Sequence, residues 1–93
     1  MFNLEYTTKY RRDRKRCIHR GQDMAKLDKT IELLQSNVPM PPEYRDHDLK
    51  GKFIGLRECH VGGLGDWLLI YKKYNDTLIL LLTETGTHSD LFE

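Results

Sequence analysis

Two compact apolar runs, Trp67-Leu68-Leu69-Ile70-Tyr71 and Leu78-Ile79-Leu80-Leu81-Leu82, follow each other with only a short polar stretch between them. Runs this short and this apolar suit central strands covered on at least one face. Asn75-Asp76 between them supplies turn chemistry. A chain of 93 residues can build a single modest core and no second unit. The hairpin must therefore be covered by whatever amphipathic segments lie upstream.

Those segments are helical. Met24, Leu27, Ile31 and Leu34 are spaced 3, 4 and 3, which makes one continuous stripe behind a possible Asp23 cap. This helix ends near Asn37, where Pro39, Pro41 and Pro42 forbid its continuation. An earlier helix starts at Thr7 or Thr8, runs to about Arg20 and is stopped by Gly21. Before it, Phe2, Leu4 and Tyr6 alternate with polar residues, the period of a half-buried strand. Residues 38–51 form a polar connector without periodicity, followed by three strand-like segments at 52–61, 66–74 and 77–85. Gly62-Gly63-Leu64-Gly65 makes a loose turn between the first two. The expected fold class is α+β: a small antiparallel sheet packed on two amino-terminal helices, with the first strand beside one of the later ones. Residues 1–93 are expected to form one domain.

Net charge is +1, but residues 1–57 carry 13 Lys/Arg against 8 Asp/Glu, and residues 58–93 carry 2 against 6. Residues 9–20 hold seven basic side chains and one acid, Asp13. Such a patch attracts phosphate when it is not simply a solvated helix face. No apolar run approaches the roughly 20 residues of a membrane helix. The start lacks a signal-peptide pattern, so a cytoplasmic protein with reduced Cys17 and Cys59 is expected. The Gly-rich turn lacks the lysine and helix of a nucleotide-phosphate loop.

Three of the four histidines sit in polar clusters: Arg45-Asp46-His47, Arg57-Glu58-Cys59-His60 and Thr85-Gly86-Thr87-His88-Ser89-Asp90. Imidazole exchanges protons near neutrality, so three brought together would make a proton-transfer site. Glu58 and His60 are two apart and share a strand face with Ile54 and Leu56; Arg57 and Cys59 share the other. Hairpin pairing would bring Asp66 close to His60. His47, His60, His88 and Asp66 are also metal-ligand types, but their spacing matches no local zinc pattern, so no metal is expected. Cys59 and His60 point to opposite faces, which argues against thiol catalysis.

The run Tyr44-Arg45-Asp46-His47-Asp48-Leu49-Lys50-Gly51, with Arg57-Glu58-Cys59-His60, Asp66-Trp67-Leu68-Leu69-Ile70-Tyr71 and Thr85-Gly86-Thr87-His88-Ser89-Asp90-Leu91-Phe92, resembles the YafQ branch of the RelE toxin superfamily. The match in order and spacing runs from about residue 38 to the end. The resemblance implies a microbial RNase fold with a curved sheet. It implies a toxin that cleaves messenger RNA on the ribosome without metal or other cofactor, and a RelB- or DinJ-like antitoxin that wraps and blocks it. Operator DNA would be met only through that complex, and residues 9–20 would have ribosomal RNA to dock on. By motif position the catalytic histidines fall on His47, His60 and His88, their acidic partner on Asp66 and a second acid on Glu58. Trp67 and Phe92 fall on aromatic positions lining the site. The chemistry would be attack of a 2′-hydroxyl on the next phosphate, needing a base, an acid and positive charge. His88 is expected as the acid, His47 or Asp66 as the base, and His60 on the phosphate. Many relatives in such a family carry an arginine where this chain runs Thr83-Glu84-Thr85. Lys50, Lys52, Arg57 or a protonated histidine would then supply the charge. The alternative is a weak or inactive relative that retains only antitoxin binding.

Overall fold

The computed structural model describes residues 1–63 and 65–92, so Leu64 of the Gly-rich turn and the terminal Glu93 lie outside the described residues. Five strands form one sheet in the order β1-β5-β4-β3-β2. They are β1 (Asn3–Tyr6), β2 (His47–Asp48), β3 (Arg57–His60), β4 (Leu68–Tyr74) and β5 (Ile79–Gly86). Helices α1 (Thr8–His19) and α2 (Met24–Gln35) follow β1, and a short α3 (His88–Phe92) follows β5.

The expected hairpin is the centre. Leu68, Leu69, Ile70, Tyr71, Leu80 and Leu82 are all buried. Leu69, Tyr71, Leu80 and Leu82 face the helices and pack with Leu27, Ile31, Leu34, Tyr10 and Phe2. Leu68 and Ile70 face the other way and meet Leu91, Leu49 and Leu56. The two faces explain why these strands read as nearly continuous apolar runs. The loop closing the hairpin is longer than Asn75-Asp76 alone. Leu78 sits at φ 54°, half-exposed, and pairing resumes only at Ile79 opposite Tyr74.

Both helices start where capping chemistry places them. The Thr7 side chain accepts from the Tyr10 N–H at 3.0 Å, and Asp23 accepts from Ala25 N–H at 3.1 Å. Gly21, at φ 76°, takes the left-handed residue that ends α1. Along α1 the buried positions are Tyr10, Asp13 and Cys17, a stripe at spacings 3 and 4. Burial pushes both Cys17 and Cys59 thiols up from their ordinary range, and both are free.

Three expectations need correction. The sheet is mixed, because β1 runs parallel to its neighbour β5, Asn3 opposite Ile79 through Tyr6 opposite Leu82. The connector contains β2, whose His47 and Asp48 pair antiparallel with Glu58 and Arg57. A two-residue strand is too short to show a period. Finally, the segment 52–61 is not a strand from residue 52. Gly51–Phe53 forms a 3₁₀ turn, Gly55 adopts φ 93° and Ile54 is 80% exposed, so β3 begins at Arg57.

A β-bulge at Ile70/Tyr71 decides the far end of the hairpin. Tyr71 pairs with Leu82 and Ile70 with Glu84, leaving Thr83 as the inserted residue. Thr85, three positions after Leu82, therefore still faces the helices. There its N–H donates to the buried Asp13 carboxylate at 3.1 Å, which also takes Lys9 Nζ at 3.1 Å and Arg16 Nη1 at 3.2 Å. The lone acid of the basic helix is thus the anchor of α1 on β5. Replacing Asp13 by Ala strands a buried backbone N–H and a partly buried guanidinium. We expect it to cost roughly 2–4 kcal/mol in a urea unfolding experiment.

Candidate active site

Cross-strand register assembles the histidines on the sheet face opposite the helices. His47 lies directly opposite Glu58, and His60 follows two residues later on the same face of β3. Diagonal neighbours of this kind stand about 7–8 Å apart. On the far side of His60 lies His88, with ring centroids 6.2 Å apart. The order across the face is therefore His47, His60, His88, with His60 in the middle.

Each imidazole is pinned through the same nitrogen. Nδ1 of His47 lies 2.6 Å from the Arg45 carbonyl oxygen. Nδ1 of His60 lies 2.8 Å from the Gly65 carbonyl oxygen. Nδ1 of His88 meets the Asp66 carboxylate, which also accepts the His88 backbone N–H at 2.9 Å. Carbonyls and ionised carboxylates only accept, so each Nδ1 carries hydrogen and each Nε2 is left for chemistry. For His47, Nε2 stands 3.5 Å from Glu58 Oε1, and Glu58 is buried with only 5% of its surface exposed. Asp66 is held below the usual carboxylate range, first by the His88 backbone N–H and then by its imidazole.

The partner expected for Asp66 was His60; the structure gives it to His88. Hairpin pairing sets His60 opposite Leu68, while the turn before β4 leaves Asp66 beside the start of α3.

His88 is placed by a lock between the two ends of the chain. Thr87 and Asp90 form a capping box: Asp90 N–H donates to Thr87 Oγ1 at 3.1 Å, and Thr87 N–H to Asp90 Oδ2 at 2.9 Å. Arg20, which caps the end of α1, grips the same carboxylate with two hydrogen bonds, at 2.7 and 3.1 Å. The Arg20 hydrogen bonds, followed by the Thr87 N–H, hold Asp90 far below the usual carboxylate range. Arg16 Nη2 bonds the Thr85 carbonyl at 3.0 Å. Gly86 makes room for this junction, since a Cβ there would sit 2.7 Å from Arg16 Nη2 and 2.8 Å from Asp90 Oδ2.

The remaining expected residues divide. Phe92 folds back over the site, 6.2 Å from the His88 ring and edge-on to Phe53 at 5.2 Å. Lys52 lies over the Phe53 ring at 5.4 Å, and Lys50 is exposed just before it. Trp67 instead packs against the helix-side core and donates its indole N–H to Thr85 Oγ1 at 2.9 Å. Arg57 is also on the helix side. Its guanidinium is engaged by Asp46 at 2.9 Å, Asp48 at 2.6 Å and Tyr71 Oη at 3.3 Å, and Asp46 foremost holds it well above its ordinary range. Glu84 pairs with Lys9 Nζ at 3.2 Å. Of the basic residues at 9–20, Lys9, Arg16 and Arg20 are taken up in internal ion pairs and Arg11 lies over Tyr6. Arg12, Arg14 and Lys15 remain exposed. Sequence reasoning missed Arg45, whose carbonyl holds His47; its only signal was its place just after a proline-rich turn. Among the described residues no cluster of His, Cys, Asp or Glu could hold a metal ion, and no helix is long and apolar enough to cross a membrane.

A mixed sheet on two helices carries three histidines with Glu58, Asp66 and Glu84 on its open face, and the same combination of fold and sequence defines a class of small bacterial toxins. The family described as "Bacterial toxin of type II toxin-antitoxin system, YafQ" matches residues 2–93, and the chain belongs to it. It is 41% identical to the mRNA interferase toxin YafQ of Escherichia coli K12 over 91 residues, covering 97% of this chain and 95% of that one. Its fold superimposes on the crystal structure of YafQ from E. coli BL21(DE3) with a TM-score of 0.90 at 36% identity, all of both chains covered. It also matches the E. coli DinJ–YafQ toxin–antitoxin complex with a TM-score of 0.87 at 39% identity, over 99% of this chain and 98% of that one.

The lock on His88 has a measurable signature. In an NMR titration of side-chain carboxyls, Arg20→Ala should move the Asp90 pKa up toward the ordinary value of about 3.9. The sign follows from the depressed carboxyl: its stabilisation is complete above about pH 4 and is lost as pH falls through the folded value. An Asp90 titration unchanged by Arg20→Ala would remove Arg20 as its cause.

Proposed function

We propose that this chain is the toxin of a type II toxin–antitoxin pair, an mRNA interferase acting in the cytoplasm on ribosome-bound message. It cleaves by attack of a 2′-hydroxyl on the adjacent phosphate and uses no metal. The observation that carries the reading is the set of three imidazoles pinned through Nδ1, with Nε2 left on one open face.

In an in-line displacement the attacking and leaving oxygens lie on opposite sides of phosphorus. A base and an acid must therefore stand apart, with the phosphate between them. The order His47, His60, His88 suits this arrangement. His47 takes the 2′-hydroxyl proton on Nε2, and the nearby Glu58 carboxylate stabilises the imidazolium that forms. His88, oriented by Asp66, gives its Nε2 proton to the leaving 5′-oxygen. His60, between them, donates to the phosphate from Nε2 in its doubly protonated form, with Nδ1–H kept on the Gly65 carbonyl. The products are a 2′,3′-cyclic phosphate and a 5′-hydroxyl. Asp66 is assigned to orienting His88 rather than to the base role. Lys50 and Lys52 lie toward the Phe53–Phe92 side, where the RNA backbone would pass. Arg57, held by two aspartates, serves to brace β2 and hence His47. Trp67 supports the floor beneath the site through Thr85. Arg12, Arg14 and Lys15 are the charges left to dock on ribosomal RNA. The E. coli complex makes a DinJ-like antitoxin the expected partner, with operator DNA met only through that complex.

One observation favours the weaker reading. Glu84 shares a row with Ile70, Glu58 and His47 across four strands, so an acid stands on the RNA face with Lys9 as its neutralising partner. This opposes phosphate binding without removing any proton-transfer group.

Mapping of message cleavage on translating ribosomes tests the reading. His88→Ala should reduce cleavage by at least about a hundredfold, the usual scale of a lost acid–base catalyst. Undiminished cleavage would sink the assignment. Glu84→Gln should raise cleavage several-fold at low salt, and less as salt rises. A fall in cleavage would show instead that the Lys9–Glu84 pair supports the site. On an isolated oligoribonucleotide, any cleavage should persist in EDTA.

A further inference from the structure

Beside His60 lies a cavity of about 440 Å³ lined by Glu43, Arg45, His60, Gly63 and Gly65. That volume is within the range of small-molecule sites, about 300–1,000 Å³. We propose that it is a nucleotide subsite next to the scissile phosphate, in which Arg45 binds the backbone phosphate and Glu43 reads a guanine base. The proposal rests on the ribonuclease reading and names the substrate feature that its site selects.

The backbone at Arg45 is the first observation. It closes the 3₁₀ turn Pro42–Tyr44 at φ 50° and ψ 42°. This left-handed conformation suits Gly or Asn and is unfavourable for arginine. The conformation aims the Arg45 carbonyl at His47, a task any residue's carbonyl would perform. Arg45 is exposed and lines the cavity, and no carboxylate among the described residues pairs with its guanidinium. A guanidinium so placed is a ready partner for a phosphate, which it can grip with two parallel hydrogen bonds.

Glu43 supplies the opposite chemistry. Its stem lies against Gly63, where a Cβ would sit 3.0 Å from Glu43 Cγ, so the glycine makes room for that side chain. Among the described residues no cation pairs with its carboxylate. The cavity is therefore lined by one residue whose side chain only donates and another whose carboxylate only accepts. RNA bases splayed out of a strand are read on their hydrogen-bonding edges. Guanine alone presents two adjacent N–H donors, at N1 and N2, that match both oxygens of a carboxylate. Adenine and cytosine offer one amino group, and uracil one ring N–H. His60 borders both this cavity and the row of histidines, so a base seated here belongs to a nucleotide flanking the cut.

The test is an NMR titration of the intact chain with guanosine, adenosine, cytidine and uridine 5′-monophosphates and with inorganic phosphate. The reporters are the Arg45, Gly63 and Gly65 amides and the His60 ring. Guanosine monophosphate should saturate these signals at about tenfold lower concentration than the other three, the scale of a charge-assisted hydrogen-bond pair. Glu43→Gln should erase that advantage. Arg45→Asn, which keeps a left-handed-tolerant residue, should weaken all four nucleotides and inorganic phosphate together. Arg45→Gly serves as the second variant if Asn perturbs the fold. Equal response to all five probes in the unmodified chain, shifts at other residues, or titrations unchanged in both variants would overturn the proposal. Selective guanosine monophosphate binding in a chain that cuts no RNA would instead overturn the ribonuclease reading and leave the subsite standing.

Discussion

The β4–β5 hairpin, with its single inserted residue, is the constraint on which the other elements depend. Its apolar residues are buried on both faces, so helices must cover one side and the returning Leu49, Leu56 and Leu91 the other. Thr83 then shifts the alternation by one place. Without that shift Thr85 would face the histidines, and Asp13 would be a buried carboxylate without its backbone donor. With it, β5 carries Glu84 on the open face, Thr85 under α1, and Gly86 beside the meeting point of the Arg16 and Asp90 side chains. A local irregularity in one strand thus sets both the docking of the first helix and the position of the last.

The basic helix shows how charge can be misread from composition. Seven basic residues within twelve positions suggest a surface for a polyanion. Three of them are instead the fasteners of the fold. Lys9 and Arg16 converge on Asp13, and Arg16 and Arg20 on Asp90. The Asp90 carboxylate is also the reciprocal half of the α3 capping box. Consequently the orientation of His88 is tied, through Asp90, to Arg20, a residue seventy positions upstream of that aspartate. Electrostatics near the site do structural work first, and of the basic residues of α1 only Arg11, Arg12, Arg14 and Lys15 stay outside these ion pairs.

A good part of the site was legible beforehand. Each of His47, His60 and His88 had a polar neighbour in sequence, and Glu58 and His60 were correctly set on one face by simple alternation. What alternation missed was the identity of the partners. Asp66 pairs with His88 instead of His60, and His47 with Glu58, because both pairs join residues from different elements. Arg57 looked available for a phosphate until register put Asp48 opposite it and Asp46 within reach. The contact of Arg45 with His47 could not be found, since it is made by a carbonyl oxygen in a left-handed turn.

By itself the sequence determined what depends on local chemistry: Thr7 and Asp23 as helix caps, the Leu27–Ile31–Leu34 stripe, the apolar hairpin and the histidine-bearing motifs. These follow from neighbours within a few positions, where spacing alone dictates which groups meet. Only the tertiary structure decided that β1 runs parallel to β5, that a two-residue β2 exists, and that Leu78 and Ile54 are left out of the strands. It also decided that His47, His60 and His88 are each held through Nδ1. The reason is that each of these outcomes depends on hydrogen bonds between backbones or side chains distant in sequence, and a backbone carbonyl leaves no trace in the identity of its residue.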